Sequence, residues 1–142
     1  MLVKQMSVFV ENTTGRLCEL TKVLAKNNID IKAMCIADTV DFGILRCIVD
    51  DPEKATEVLK KSGFTASITE VLAVELNDKP GGLSHVLEIL SSEGISVDYI
   101  YSTIRSRSGH ALIVIKVTDS QKAIDLLNSK GVNLFCKRDF LR

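Results

Sequence analysis

Two short stretches carry the residue types from which a small-molecule site can be built. Near the start, Asn12, Thr13, Thr14 and Gly15 separate a strand-like apolar run from a helix-like one, and Asp78, Lys79, Pro80, Gly81 and Gly82 do the same further along. Asparagine and aspartate can hydrogen-bond to turn backbone, and proline restricts the approach. Glycine permits the turn and leaves room above the first helical N–H groups. Donors that converge at a helix N-terminus suit a carboxylate. The same residue types serve any tight strand-to-helix turn, so ligand binding and plain turn-making both stand at this level.

Catalytic chemistry is harder to assemble. His85 falls on the predicted helix after the second turn and His110 at a strand start, with no cysteine or carboxylate signature beside either. His-Glu-x-x-His, calcium-loop, Gly-x-Gly-x-x-Gly and phosphate-loop lysine patterns are missing from the sequence. The expectation is a protein without catalysis, metal or cofactor. Cys18, Cys35, Cys47 and Cys136 are widely spaced with no Cys-x-x-Cys pair, which predicts reduced thiols, the first three in apolar elements of the core. Tyr99 and Tyr101 have strand spacing, with Arg105 and Arg107 after them, and such a face can stack bases. Eighteen basic and 18 acidic side chains cancel, however, so no field draws in nucleic acid or an anionic membrane. Without a signal-like start or a run of about 18 apolar residues, the expected location is cytoplasmic.

The elements that position these turns come in two copies. Gly15, Leu17, Leu24 and Ile29 match Gly81, Leu83, Leu90 and Ile95 at one spacing, 66 residues. Asp51, Ala55, Leu59 and Gly63 match Asp119, Ala123, Leu127 and Gly131 at 68, which places a two-residue insertion in the turn "STIRSRSGH". Each copy reads strand, helix, strand, strand, helix, strand. Copy one has "VKQMSVFV", a helix marked by Leu17, Leu20, Val23 and Leu24, the strands "IDIKAMCIA" and "FGILRCIV", a helix capped by Asp50 or Asp51 with Pro52 at its first position, and "FTASITEV". Copy two has "VLAVEL", a helix over Gly82–Ser92, "ISVDYIYST", "HALIVIKV", a helix over Ser120–Ser129, and "VNLFCK".

This order predicts an α+β fold of two ferredoxin-like βαββαβ modules, about residues 1–70 and 71–142, each a four-stranded antiparallel sheet with two helices on one face. Right-handed crossovers put the first and third strands in the centre. The boundary near Thr69–Leu72 lacks a Gly/Ser or proline-rich linker, so rigidly joined modules are expected. Leu112 and Val114 alternate away from Ile113 and Ile115, which leaves apolar side chains on the second sheet face and predicts a homo-oligomer, a dimer first.

"ENTTGRLCELTKVLAKNNIDIKAM" and "NDKPGGLSHVLEILSSEGISVDYI" resemble the opening motif of the ACT domains, small amino-acid-sensing regulatory modules. That motif is an Asn or Asp followed by Pro-Gly, a leucine, an amphipathic helix and Gly-Ile-Asn-Ile. The resemblance covers nearly the whole chain as two copies. It implies a stand-alone sensor or regulatory subunit that binds a free amino acid where two modules meet, against the first strand-to-helix loop and the start of the second strand. Those positions here are Asn12, Thr13, Thr14, Gly15, Arg16 and Leu17 with Ile29, Asp30 and Ile31, and Asp78, Lys79, Pro80, Gly81, Gly82 and Leu83 with Ile95, Ser96 and Val97. Thr14 stands in the proline place of copy one, Asn28 in that of the motif's glycine, and Asp30 and Ser96 replace its asparagine. Asp30 could pair with a ligand ammonium and Ser96 could donate or accept. The alternative is an interaction protein that regulates a metabolic enzyme or other partner by contact, without a ligand.

Overall fold

The computed structural model describes residues 1–38, 41–103 and 109–140. The chain divides into two compact units, Lys4–Thr69 and Glu70–Arg142, the second including Met1–Val3.

The N-terminal unit contains β1 (Val3–Glu11), α1 (Arg16–Lys26), β2 (Ile31–Asp38), β3 (Phe42–Val49), α2 (Pro52–Lys61) and the first part of β4 (Thr65–Asn77). Its strands lie in the order β2-β3-β1-β4. Both pairings of β3 are antiparallel, with Leu45 opposite Val8 of β1 and opposite Ile36 of β2. Period-two alternation sends Met6, Val8, Leu45 and Cys47 to one face, where they pack with Leu20 and Leu24 of α1 and Ala55 and Leu59 of α2. Both helices therefore lie on one face, as the order of elements predicts. On the other face Phe9 and Phe42 remain 51% and 41% exposed, their ring centroids 5.6 Å apart.

The C-terminal unit repeats the plan with the rest of β4, α3 (Gly82–Ser92), β5 (Val97–Ser102), β6 (His110–Val117), α4 (Ser120–Ser129), β7 (Leu134–Phe135) and α5 (Lys137–Phe140). The order is β5-β6-β4, with β7 on the free side of β4 in this unit. Leu72, Val74, Ile113 and Ile115 meet Val86 and Leu90 of α3 and Ala123 and Leu127 of α4. Helix starts follow the sequence closely. Asp51 accepts from the Lys54 N–H at 3.1 Å, with Pro52 at the first helical position, and Asp119 accepts from the Lys122 N–H at 3.0 Å.

Four details depart from the sequence reading. "FTASITEV" and "VLAVEL" form one strand, β4, because neither glycine nor proline interrupts the run from Thr65 to Asn77. The last strand shrinks to Leu134–Phe135, since Asp139 accepts from the Cys136 N–H at 2.7 Å and turns the chain into α5. Cys18 is exposed on α1, whereas Cys47 is buried and Cys35 half-buried. On the second face of the C-terminal sheet Val114 is fully buried and Leu112 half-buried, so the largest exposed apolar side chains on a second face are Phe9 and Phe42. Arg105, Arg107 and the centre of the "STIRSRSGH" turn lie outside the described residues.

Candidate functional site

The turn between β4 and α3 is built on two glycines with different reasons to be glycine. Gly81 caps α3 at φ 88°, ψ −9°, in the left-handed region that a side chain disfavours. Gly82 has an ordinary φ, but a Cβ there would fall 2.0 Å from the Asn77 carbonyl oxygen. The turn is pinned by its own backbone: Lys79 N–H donates to Asn77 C=O at 2.9 Å, Gly82 N–H to Lys79 C=O at 3.0 Å, and Asp78 N–H to Gly109 C=O at 3.1 Å. In the N-terminal unit Gly15 repeats the cap at φ 86°, ψ −9°, and Arg16 N–H donates to Thr13 C=O at 3.3 Å. There the first helical residue is Arg16 rather than glycine.

Beneath the second turn is a cleft of about 460 Å³, wholly within the C-terminal unit. Its walls are the Lys79–Gly82 turn, His85 and Val86 of α3, the end of β4 from Glu75 to Asn77, His110 of β6, and the Lys130–Asn133 segment that leaves α4. Glu75 is the acceptor. Its Oε2 accepts from Asn133 Nδ2 at 3.0 Å, its Oε1 lies 3.9 Å from His110 Nδ1, and its backbone N–H donates to Asn133 C=O at 3.0 Å. The strand register explains the juxtaposition, because His110 stands opposite Asn77, two residues along β4 from Glu75. Lys79, Lys130, His85 and His110 bring donors around the same space. One carboxylate acceptor with several donors and an apolar floor can hold a small dipolar molecule.

The structure brings only part of the sequence-derived set together. Lys79, Pro80, Gly81 and Gly82 line the cleft; Asp78 anchors the turn, and Leu83 is exposed. Ile95, Ser96 and Val97 lie at the other end of α3, whose 11 residues span about 16 Å. Ile95 is buried, Val97 packs on the core, and Ser96 is exposed with its C=O accepting from the Thr118 N–H at 3.1 Å. The N-terminal unit separates its residues in the same way. Asn12, Thr13, Thr14, Gly15, Arg16 and Leu17 lie at one end of α1; Ile29, Asp30 and Ile31 lie at the other. Asp30 is engaged there, its Oδ2 2.5 Å from Lys32 Nζ and its N–H donating to Asp50 Oδ1 at 3.0 Å. A strand-helix-strand crossover returns the chain to the opposite end of the sheet, so within one unit the first loop and the start of the second strand cannot meet.

Glu75, His110, Lys130 and Asn133 escaped the sequence reading as site residues. A carboxylate inside the apolar run "VLAVEL" was the available signal for Glu75. Asn133 had none, because its place depends on β7 pairing beside β4. Among the described residues no group of three or more His, Cys, Asp or Glu could hold a metal ion, and no helix is long and apolar enough to cross a membrane.

Comparison with known proteins gives the family. A structure of a protein from Bacteroides thetaiotaomicron is 44% identical, covering 99% of this chain and 96% of its own, with a TM-score of 0.92. The regulatory subunit of aspartate kinase from Thermus thermophilus, in a ligand-free form, shares the fold at 14% identity, with 90% and 93% of the two chains covered and a TM-score of 0.67. The corresponding subunit from Thermus flavus is also 14% identical, with 100% and 95% covered and a TM-score of 0.64. No curated protein sequence matches the chain. The family described as an ACT domain pair matches residues 1–141, so the chain belongs to that family.

Proposed function

We propose that the protein is a sensor of a free amino acid, built from two modules over residues 1–70 and 71–142, and that the ligand sits in the cleft beneath the Lys79–Gly82 turn. The observation that carries this reading is the cleft itself, with the Glu75 carboxylate on one wall and the Lys79–Gly82 turn on another. The ligand ammonium pairs with Glu75, and its carboxylate takes Lys79 and the turn. A volume of about 460 Å³ suits a molecule of that size.

The Thermus relatives, which are aspartate-kinase regulatory subunits, support a regulatory role beside a metabolic enzyme. The exposed Phe9–Phe42 pair supports self-association. A calorimetric screen of the twenty amino acids tests the sensor reading. Saturable heat with one or a few of them, and none with the rest, is the expected result. Silence from all twenty at millimolar concentration would leave the contact-only regulator as the better reading.

A further inference from the structure

The two units share the glycine conformations at the helix ends around the cleft but not its contents. Their helix caps, Gly15 and Gly81, have φ 86° and 88°, and Gly63 and Gly131 after α2 and α4 have φ 86° and 73°. In the C-terminal unit the open space lies between Gly82, His85 and Val132. The repeat puts Arg16, Glu19 and Phe64 at those three places in the N-terminal unit. Arg16 does not point away into water. Its guanidinium carbon lies 3.9 Å from the centroid of the Phe64 ring, and its Nη1 donates to Glu19 Oε2 at 2.9 Å. Phe64 beneath it is 4% exposed, and the Arg16 side chain itself only 20%.

We infer that Arg16 fills, in the N-terminal unit, the space that stays open as a cleft in the C-terminal unit, so that among the described residues the C-terminal cleft has no open counterpart in the first copy. A guanidinium stacked on an aromatic face and held by a carboxylate is a persistent occupant. The C-terminal cleft cannot be closed in the same way, because any side chain at position 82 would collide with the Asn77 carbonyl. An amino acid that enters the C-terminal cleft then has no matching seat beside Arg16. The identity of what binds rests on the sensor reading above; the asymmetry of the two clefts does not.

Two NMR measurements on the full chain separate these claims. A neutral nitroxide dissolved in the sample should relax the Val132 methyl protons severalfold more than the Phe64 ring protons, and Arg16→Gly should raise the Phe64 relaxation to a similar level. Equal relaxation in the native protein, or no gain in Arg16→Gly, overturns the inference. An equimolar mixture of the twenty amino acids should shift the amides of Gly81, Gly82 and His85 and leave those of Gly15 and Glu19 in place. Shifts at Gly15 and Glu19 in the native protein also overturn it. If no amide shifts anywhere, the amino-acid reading fails, and the nitroxide comparison still decides whether Arg16 closes the first cleft.

Discussion

At the scale of single residues, Glu75 and Asp30 make opposite predictions although both are carboxylates at ordinary-looking positions. Glu75 faces the cleft beside Asn133 and His110, whereas Asp30 is tied to Lys32 at the far end of its unit. Glu75→Gln keeps the size and the bond to Asn133 but removes the charge that pairs with an ammonium. Amino-acid affinity should fall about tenfold or more, since hydrogen bonds to charged groups contribute about 1.5–3 kcal/mol. Asp30→Ala should leave affinity within about twofold, because its exposed ion pair contributes little. Titration calorimetry on both variants checks the contrast, and a loss in Asp30→Ala alone would move the site away from the cleft. The thiols give a second prediction at this scale. Burial pushes Cys47 up from 9.0 to about 12, so it stays a neutral thiol in the folded chain at pH 8, while Cys18 is open to solvent. Iodoacetamide should label Cys18 in the native protein and Cys47 only after unfolding. The sign for stability follows: above pH 9 the unfolded chain loses the Cys47 proton while the folded chain keeps it. The Cys47 contribution is therefore complete below pH 9 and is lost as pH rises toward about 12.

At the scale of elements, the strand-to-helix turn shows why neighbouring glycines are not interchangeable. Gly81→Ala meets no atom within 4 Å and has only the left-handed backbone to bear, about 1–2 kcal/mol. Gly82→Ala has an allowed backbone but places a methyl group on the Asn77 carbonyl, so the turn itself must move. Denaturant melts should therefore show a modest loss for Gly81→Ala. For Gly82→Ala the expected outcome is a larger loss, together with shifted amide resonances for Lys79 and its neighbours. Equal effects would mean that the turn is more compliant than its geometry implies. Much of this element scale was legible in the sequence: the spans of α3 and α4 and a cap at Asp50 or Asp51, of which Asp51 serves, follow from local pattern, and the central position of the first and third strands follows from crossover handedness. What was not legible depends on pairing between distant segments. The two predicted strands around Thr69 merge because nothing local stops β4, and the last strand ends early because Asp139 reaches back to Cys136. The cleft wall at Asn133 exists only once β7 lies beside β4, and the sequence interval of 58 residues to Glu75 conceals it.

At the scale of the whole molecule, the repeat is exact enough to build the same unit twice and loose enough to give the copies different surfaces. The end of the sheet where Glu75 and His110 stand 3.9 Å apart carries Phe9 and Phe42 in the N-terminal unit, at the matching places of the repeat. A polar cluster suits a dissolved small molecule. Two half-exposed phenylalanines in contact, with Ile44 directly opposite Phe9 on the same face, suit another apolar surface. A second copy of the chain is the simplest supplier of one, because twofold pairing sets a patch against itself. The sequence pointed to self-association through Leu112 and Val114, but Val114 is fully buried, so the argument passes to Phe9 and Phe42. Sedimentation at micromolar concentration should show a dimer or larger species for the native chain. Phe9→Ser with Phe42→Ser should shift it toward 15.6 kDa. Both residues lie outside the core formed by Met6, Val8 and Leu45, so the double variant should keep its fold and its circular dichroism. Amino-acid binding in the C-terminal cleft should survive the change, since no lining residue is altered. A native chain that sediments as a monomer at every concentration would remove the dimer. A variant that loses binding along with self-association would show that the cleft needs a second copy after all.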